Sequence, residues 1–214
     1  MPACELDHLV VAAASLDEGA RFICERLGVD IPMGGRHELM STHNRLMRLG
    51  QNSYLEVISI DPAAAAPPRP RWYELDNPAM RARLAEGPRL ITWVARTSDI
   101  VATVQSTAVS LGAILPVSRG ELSWHLTVPE DGHLPGGGVI PHLIEWDGGV
   151  RPWENMADLG CELEELTLGS PDSAALKDAL GTLCARPFSR ISIAKAAEPV
   201  LSARIRTPTG SVTI

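Results

Sequence analysis

Three times along its 214 residues the chain starts the same sequence of elements, and that recurrence limits the fold more than any single motif does. The first pass opens with the β-rich stretch "ELDHLVV" at residues 5–11. A helical run "SLDEGARFICERLGV" follows, with Ser15 or Asp17 placed to cap it and Gly28 to end it. Three short strand candidates come next, "DIPMGGRHE", "THNRLMRLG" and "NSYLEVISI", separated by glycine or polar turns. This is a βαβββ unit.

After a low-complexity linker, "DPAAAAPPRPR", and a short helix near "NPAMRARLAEG", the pattern restarts with "RLITWVART" and the helical "SDIVATVQSTAVSLG". "AILPVSRG", "ELSWHLTVP" and "VIPHLIEWD" complete the second unit. The third begins at "CELEELTLGSPDSAALKDALGTLCARP" and ends with "RISIAKAA", "LSARIRT" and "GSVTI". Units recurring at about 70 to 80 residues predict a repeated supersecondary architecture. The expectation is an α+β fold with modules at 1–60, 89–148 and 161–214, and a linker with its short helix at 61–88.

Placing "LDHLVV" on "LITWVA" sets His8 against Thr92, and placing "YLEVIS" on "LIEWDG" sets Glu56 against Glu145. Strand side chains alternate, so His8 shares a face with Leu6 and Val10, and Glu56 shares one with Tyr54 and Ile58. Leu9, Val11, Leu55 and Val57 make the opposite face, which the helix covers. A carboxylate persists in an apolar strand when it is paired, hydrogen-bonded or metal-bound. His8, Glu56 and Glu145 are therefore candidate ligands of a divalent metal, with Thr92 standing where a fourth would be expected. The alternative for Glu56 is a cross-strand ion pair with Arg45 or Arg48. For Glu145 it is a pair with Arg151 or Arg119.

Composition narrows the partners. A net charge of −7 without a clustered basic run argues against nucleic acid and anionic membrane surfaces, and leaves a small-molecule ligand or another protein. No apolar run reaches the roughly 20 residues that span a bilayer, and "MPACELDHLVV" lacks signal-peptide features. Cys4, Cys24, Cys161 and Cys184 fall in no CxxC spacing, so the expected setting is the reducing cytoplasm. P-loop, dinucleotide and GxSxG signatures are missing from the sequence.

The motifs "LDHLVV", "GGRHELMSTHNRLMRLGQNSYLEVIS", "GPRLITWV" and "PHLIEW" resemble the vicinal oxygen chelate superfamily, and within it the glyoxalase-like domain branch. The resemblance covers roughly residues 5 to 148, and the third unit resembles the same module. It implies a cup between paired modules in which a metal, held by His8, Glu56 and Glu145, polarises vicinal oxygens of a substrate. It also draws attention to "GGRH" and to Thr42 and Asn44, with Arg36, His37, His43, Asn44 and Arg45 as candidate substrate-binding groups.

The expected function is binding of a small oxygen-rich metabolite in the cup, with metal-dependent lyase or isomerase chemistry in which Glu56 or Glu145 moves a proton. The alternatives are a metal-free binding or sequestering protein on the same fold, and a scaffold whose third unit drives homodimer formation. His125 and His142 are read as ordinary strand histidines, and Trp93, Trp124 and Trp146 as core or pocket wall.

Overall fold

The computed structural model describes residues 4–184 and 188–214. The first unit contains β1 (Cys4–Ala12), α1 (Leu16–Leu27), β2 (Met33–His37), β3 (Thr42–Arg48) and β4 (Tyr54–Ile60). The linker carries α2 (Pro78–Ala85). The second unit contains β5 (Arg89–Thr97), α3 (Ile100–Gln105), β6 (Ala113–Arg119), β7 (Leu122–Val128) and β8 (His142–Trp146). The third holds β9 (Glu162–Ser170), α4 (Ser173–Leu183), β10 (Ile191–Lys195), β11 (Val200–Thr207) and β12 (Gly210–Thr213).

Local chemistry sets the helices. Ser15 accepts from the Glu18 amide at the start of α1, and Gly28 closes the helix in a left-handed conformation with φ of 70°. Leu16, Ile23 and Leu27 recur at helical spacing and are buried, so α1 presents one apolar stripe to the sheet. Asn77 and Asp172 cap α2 and α4 in the same way as Ser15.

The first two units merge into one eight-stranded sheet in the order β2-β3-β4-β1-β5-β8-β7-β6. In each unit the last strand pairs parallel with the first, and β1 joins β5 antiparallel at the centre. The sheet curls until its outer strands β2 and β6 approach one another, which makes the concave side a cup. The alternation expected from sequence holds. Leu9, Val11, Leu55 and Val57 are buried on the convex side, whereas Val10, Ile58, Val94 and Ile144 belong to the apolar cluster of the cup.

The third unit keeps the element order but departs from the strand order of the other two. Its sheet runs β10-β9-β11-β12, so the strand after the helix pairs directly with the first strand, and no parallel closure by the last strand occurs. It is a different topology written with the same sequence of elements. Its residues Leu163, Leu166, Leu168, Ala203 and Ile205 join the convex-side core with Leu9, Ile23 and Trp93. Burial of each such large side chain is worth about 1.5–3 kcal/mol, so the third unit completes a core that α1 and the short α3 leave uncovered. None of the helices described is long and apolar enough to cross a membrane.

Candidate functional site

The polar groups of the cup begin with an irregularity in β1. The β1–β5 register shifts between Leu6 and His8, a bulge that leaves Asp7 without a partner residue on β5. As a result Asp7 and His8, adjacent in sequence, form a side-chain pair in the interior. His8 Nδ1–H donates to Asp7 Oδ1 at 2.7 Å, and Asp7 Oδ2 accepts from Trp146 Nε1 at 3.0 Å. Asp7 is fully buried and His8 nearly so. That bond fixes the tautomer and points His8 Nε2 at Glu56 Oε2, 3.7 Å away. The His8 ring stacks on Tyr54, its neighbour on β4, at 4.4 Å.

Glu56 is held from its other side by Asn44, whose amide nitrogen donates to Oε1 at 2.6 Å and to His37 Nε2 at 3.3 Å. The Asn44 carbonyl oxygen accepts from the Gly35 amide at 2.8 Å and from Arg119 Nη1 at 3.2 Å. His37 Nδ1 donates to Thr42 Oγ1 at 3.0 Å, and burial lowers its pKa to about 4, so the ring is neutral near pH 7. Burial also raises Tyr54 and Tyr73 above the usual phenol range, and the carboxylates of Asp7 and Glu56 add to the effect.

The two glycines of "GGRH" now have a reason. A Cβ on Gly34 would lie 2.2 Å from Asn44 Oδ1, and one on Gly35 would lie 2.6 Å from Arg119 Cδ. Their bare backbones let Asn44 turn into the cup and let Arg119 cross from the opposite edge of the sheet.

The linker after β4 fills most of the remaining space. Trp72 and Tyr73 are buried in the cup, with Trp72 edge-on to His37 at 5.0 Å. Tyr73 and Glu74 both have left-handed backbones, φ 61° and 58°, each costing about 1–3 kcal/mol. The strain is held by Glu74 N–H on the Gly132 carbonyl at 2.8 Å and by the Arg71–Asp76 ion pair at 2.6 Å. Between these rings and His8, Glu56, Arg119, Trp124 and Trp146 a cavity of about 30 Å³ remains. That is room for about one water molecule.

Of the residues nominated from sequence, His8, His37, Asn44 and Glu56 come together here. Glu145 does not. Its neighbours Ile144 and Trp146 line the cup, so Glu145 faces the other side, where its carboxylate accepts from the Ile100 amide at the start of α3 at 2.8 Å. The strand register explains the error. Val10 is opposite Glu56 and Val94 is opposite His142, so His142, three residues before Glu145, holds the place equivalent to Glu56. An odd offset on a strand turns a side chain to the other face. Arg119 and Arg151 also leave Glu145 alone, bonding to Asn44 and Glu154 instead.

Arg36, His43 and Arg45 are likewise corrected. Each is next in sequence to a cup residue, His37 or Asn44, and alternation sends it away. Arg36 is exposed and pairs with Asp61 at 3.1 Å. Arg45 bonds the Ile31 carbonyl at 3.1 Å and lies 3.5 Å from Asp17 of α1, so the proposed pair with Glu56 does not form. Arg48 bonds the Gly50 carbonyl. His43 sits on the outer face, half-buried, and desolvation lowers its pKa.

Donor geometry decides whether the cup suits a divalent ion. His8 and Glu56 supply two donors, but the Asn44 NH₂ stands between Glu56 and His37, and Thr92 donates its hydroxyl to the Gly138 carbonyl at 3.2 Å. Among the described residues no group of three His, Cys, Asp or Glu side chains is arranged to hold a metal ion. The donor set does not fit one. Asp7, Arg119, Trp72, Tyr73 and His142 were missed by sequence reasoning. The acid next to His8 and the glycine pair before His37 were the available signals.

Paired βαβββ units sharing one curled sheet, with polar groups on the first and fourth strands facing a common cup, define the vicinal oxygen chelate superfamily. Residues 6–184 match the family model described as "Glyoxalase-like domain", and the chain belongs to that family. No match was found among proteins of curated function. Among solved structures, a hypothetical protein from Staphylococcus aureus superposes with a TM-score of 0.63 at 14% identity, covering 92% of this chain and 87% of that one. A mutant 4-hydroxymandelate synthase from Streptomyces coelicolor gives 0.51 at 16% identity, over 100% of this chain and 62% of that one. Methylmalonyl-CoA epimerase from Mycobacterium tuberculosis gives 0.43 at 21% identity, over 65% of this chain and 86% of that one. For the first two, at these identities, the likeness is one of fold.

Proposed function

We propose that the cup binds a small oxygen-rich metabolite and moves a proton on the carbon beside its carbonyl, as a lyase or isomerase of glyoxalase type. One observation carries this reading: the line Asp7–His8–Glu56, buried, with His8 Nε2 and Glu56 Oε2 3.7 Å apart beside the cavity. Glu56 has one oxygen bound by Asn44 and the other facing the cavity, as a general base must. His8, when it carries a proton on both ring nitrogens, donates that on Nε2 to the carbonyl oxygen while Glu56 takes the proton from the adjacent carbon, giving a neutral enol and an imidazole that keeps its Nδ1–H on Asp7. Return of the proton from Glu56 to the former carbonyl carbon, while His8 Nε2 takes the proton of the neighbouring hydroxyl, moves the carbonyl by one carbon and completes an isomerisation. Asp7 holds the imidazole in the orientation that this requires. Trp72, Tyr73 and Trp124 keep bulk water from the enol.

The test is hydrogen exchange in D₂O, followed by proton NMR, on glycolaldehyde, hydroxyacetone and related hydroxycarbonyl compounds. The wild type washes deuterium into the carbon beside the carbonyl, and Glu56→Gln slows this by about 100-fold or more. Exchange equal in wild type and Glu56→Gln, or none in the wild type across the panel, overturns the reading. The second reading, a sequestering protein, is favoured by the small, ring-lined cavity, and it predicts saturable binding without exchange.

A further inference from the structure

Among the described residues Arg119 lines the cup without a direct ion pair to either of the cup's acids, Asp7 and Glu56. Arg119 comes from β6 in the second unit, reaches across Gly35 of β2 and lines the cavity with Glu56 and His8. Its one hydrogen bond among the described residues is from Nη1 to the Asn44 carbonyl oxygen, and no carboxylate lies within ion-pair distance of it there. A guanidinium has five N–H donors in a planar fork, and Arg119 is half-buried, so four are open to water or to a ligand. A carboxylate matches that fork with two parallel bonds.

We infer that Arg119 anchors a carboxylate, and that the ligand of the cup is a short carboxylate bearing oxygen on the neighbouring carbon. This rests on the proton-transfer reading for the role of Glu56 and deepens it by naming the substrate class. The spacing sets the length. One amide group, that of Asn44, separates the guanidinium from Glu56 Oε1, so an acid gripped by Arg119 brings the next one or two carbons of its chain to the cavity between Glu56 and His8. Asn44 also couples the two ends, because a shift of Arg119 pulls on the amide that holds Glu56.

The experiment is titration of the full chain with lactate, glycolate and pyruvate against lactamide, the neutral counterpart of lactate. It is read by tryptophan fluorescence, since Trp72, Trp124 and Trp146 line the cavity. The wild type binds at least one of the acids and not the amide. Arg119→Gln weakens the acid by about 10- to 100-fold, Arg119→Lys by less, with thermal melting unchanged. Gly35→Ala, which drives a methyl into the Arg119 stem, reproduces the loss without touching the charge. Lactamide binding as well as lactate, Arg119→Gln binding within twofold of wild type, or no acid binding at all overturns the inference. The two proposals fail separately. Exchange on hydroxyacetone without acid binding leaves the proton transfer and removes the anchor, while Arg119-dependent binding without exchange does the reverse.

Discussion

Asp7 and His8 are consecutive residues of a strand, yet His8 Nδ1–H donates to Asp7 Oδ1 at 2.7 Å in the interior, because β1 bulges against β5 between Leu6 and His8. A regular strand would send the two side chains to opposite faces. The bulge turns an ordinary dipeptide into an oriented imidazole whose Nε2 faces Glu56. Asp7→Asn keeps the volume but offers His8 an amide, which removes the charge and permits the wrong tautomer. Deuterium exchange by the Asn variant is expected to fall about 10- to 100-fold, as for other outer-shell partners of a functional histidine. An unchanged rate would detach Asp7 from the site.

Gly34 is the second point of leverage. An alanine there places Cβ 2.2 Å from Asn44 Oδ1 and 3.0 Å from both the Asn44 carbonyl and Leu46 Cγ. Either β2 shifts or Asn44 leaves the bond to Glu56. Gly34→Ala is expected to lose about 1–3 kcal/mol in urea unfolding and to lose exchange as Asn44→Ala does. Wild-type exchange in both variants would show that the Asn44–Glu56 bond is dispensable.

Alternation and repeat were enough to put His8 and Glu56 in one cup and Leu9 and Val57 behind them, since both follow from the period of a strand. What alternation could not provide was register across a loop of unknown length. Glu145 was matched to Glu56 by similarity of "LIEW" to "YLEV", three residues off, and the odd offset placed it on the outer face. Arg119 was invisible as a site residue because it enters from the far edge of the other unit, a contact that exists only once the sheet curls. The third unit shows the same limit in topology. Its order of elements is legible, while the choice of β10 as the partner of β9 depends on packing against a face the sequence does not name.

Trp72 and Tyr73 fill the cup from a strained turn, and the water-sized space they leave means that a larger ligand needs that turn to withdraw. Tyr73→Ala removes a ring buried against Trp72 at 5.5 Å and His142 at 5.0 Å and enlarges the cavity. The cost is about 3–5 kcal/mol, typical of deleting a large aromatic side chain. Acrylamide quenching of the cup tryptophans is expected to increase in the same variant. Unchanged quenching together with unchanged stability would mean that the turn does not seal the cavity in solution.

The metal geometry gives a further prediction. With Glu145 on the outer face, Thr92 bonded to the Gly138 carbonyl and Asn44 between Glu56 and His37, His8 and Glu56 are the two donors left to a cation in the cup among the described residues. Calorimetric titration with Zn²⁺, Ni²⁺ and Mn²⁺ is expected to show no one-to-one binding that His8→Ala abolishes. Saturable binding lost in both His8→Ala and Glu56→Gln would establish a metal site with those two ligands.

Stability should depend on pH through His37 and His142. Both are buried, and desolvation lowers each from an ordinary 6.5 to about 4. His142 Nδ1–H donates to the Thr127 carbonyl at 2.9 Å, while Nε2 has no partner, so the ring has nothing to stabilise a second proton. Between about pH 6.5 and 4 the unfolded chain binds protons that the folded rings refuse, and acid therefore favours unfolding. Stability from this source is complete above about pH 7 and is lost as the pH falls through that window. With both rings acting, the slope peaks at about 2.4 kcal/mol per pH unit near the middle of that window, since each ring then differs by about 0.9 proton between the two states. Urea midpoints measured from pH 7.5 to 4.5 are expected to show it, and His142→Gln to reduce the slope toward that of one proton. A slope that survives in His37→Gln and His142→Gln alike would assign the acid sensitivity to other groups.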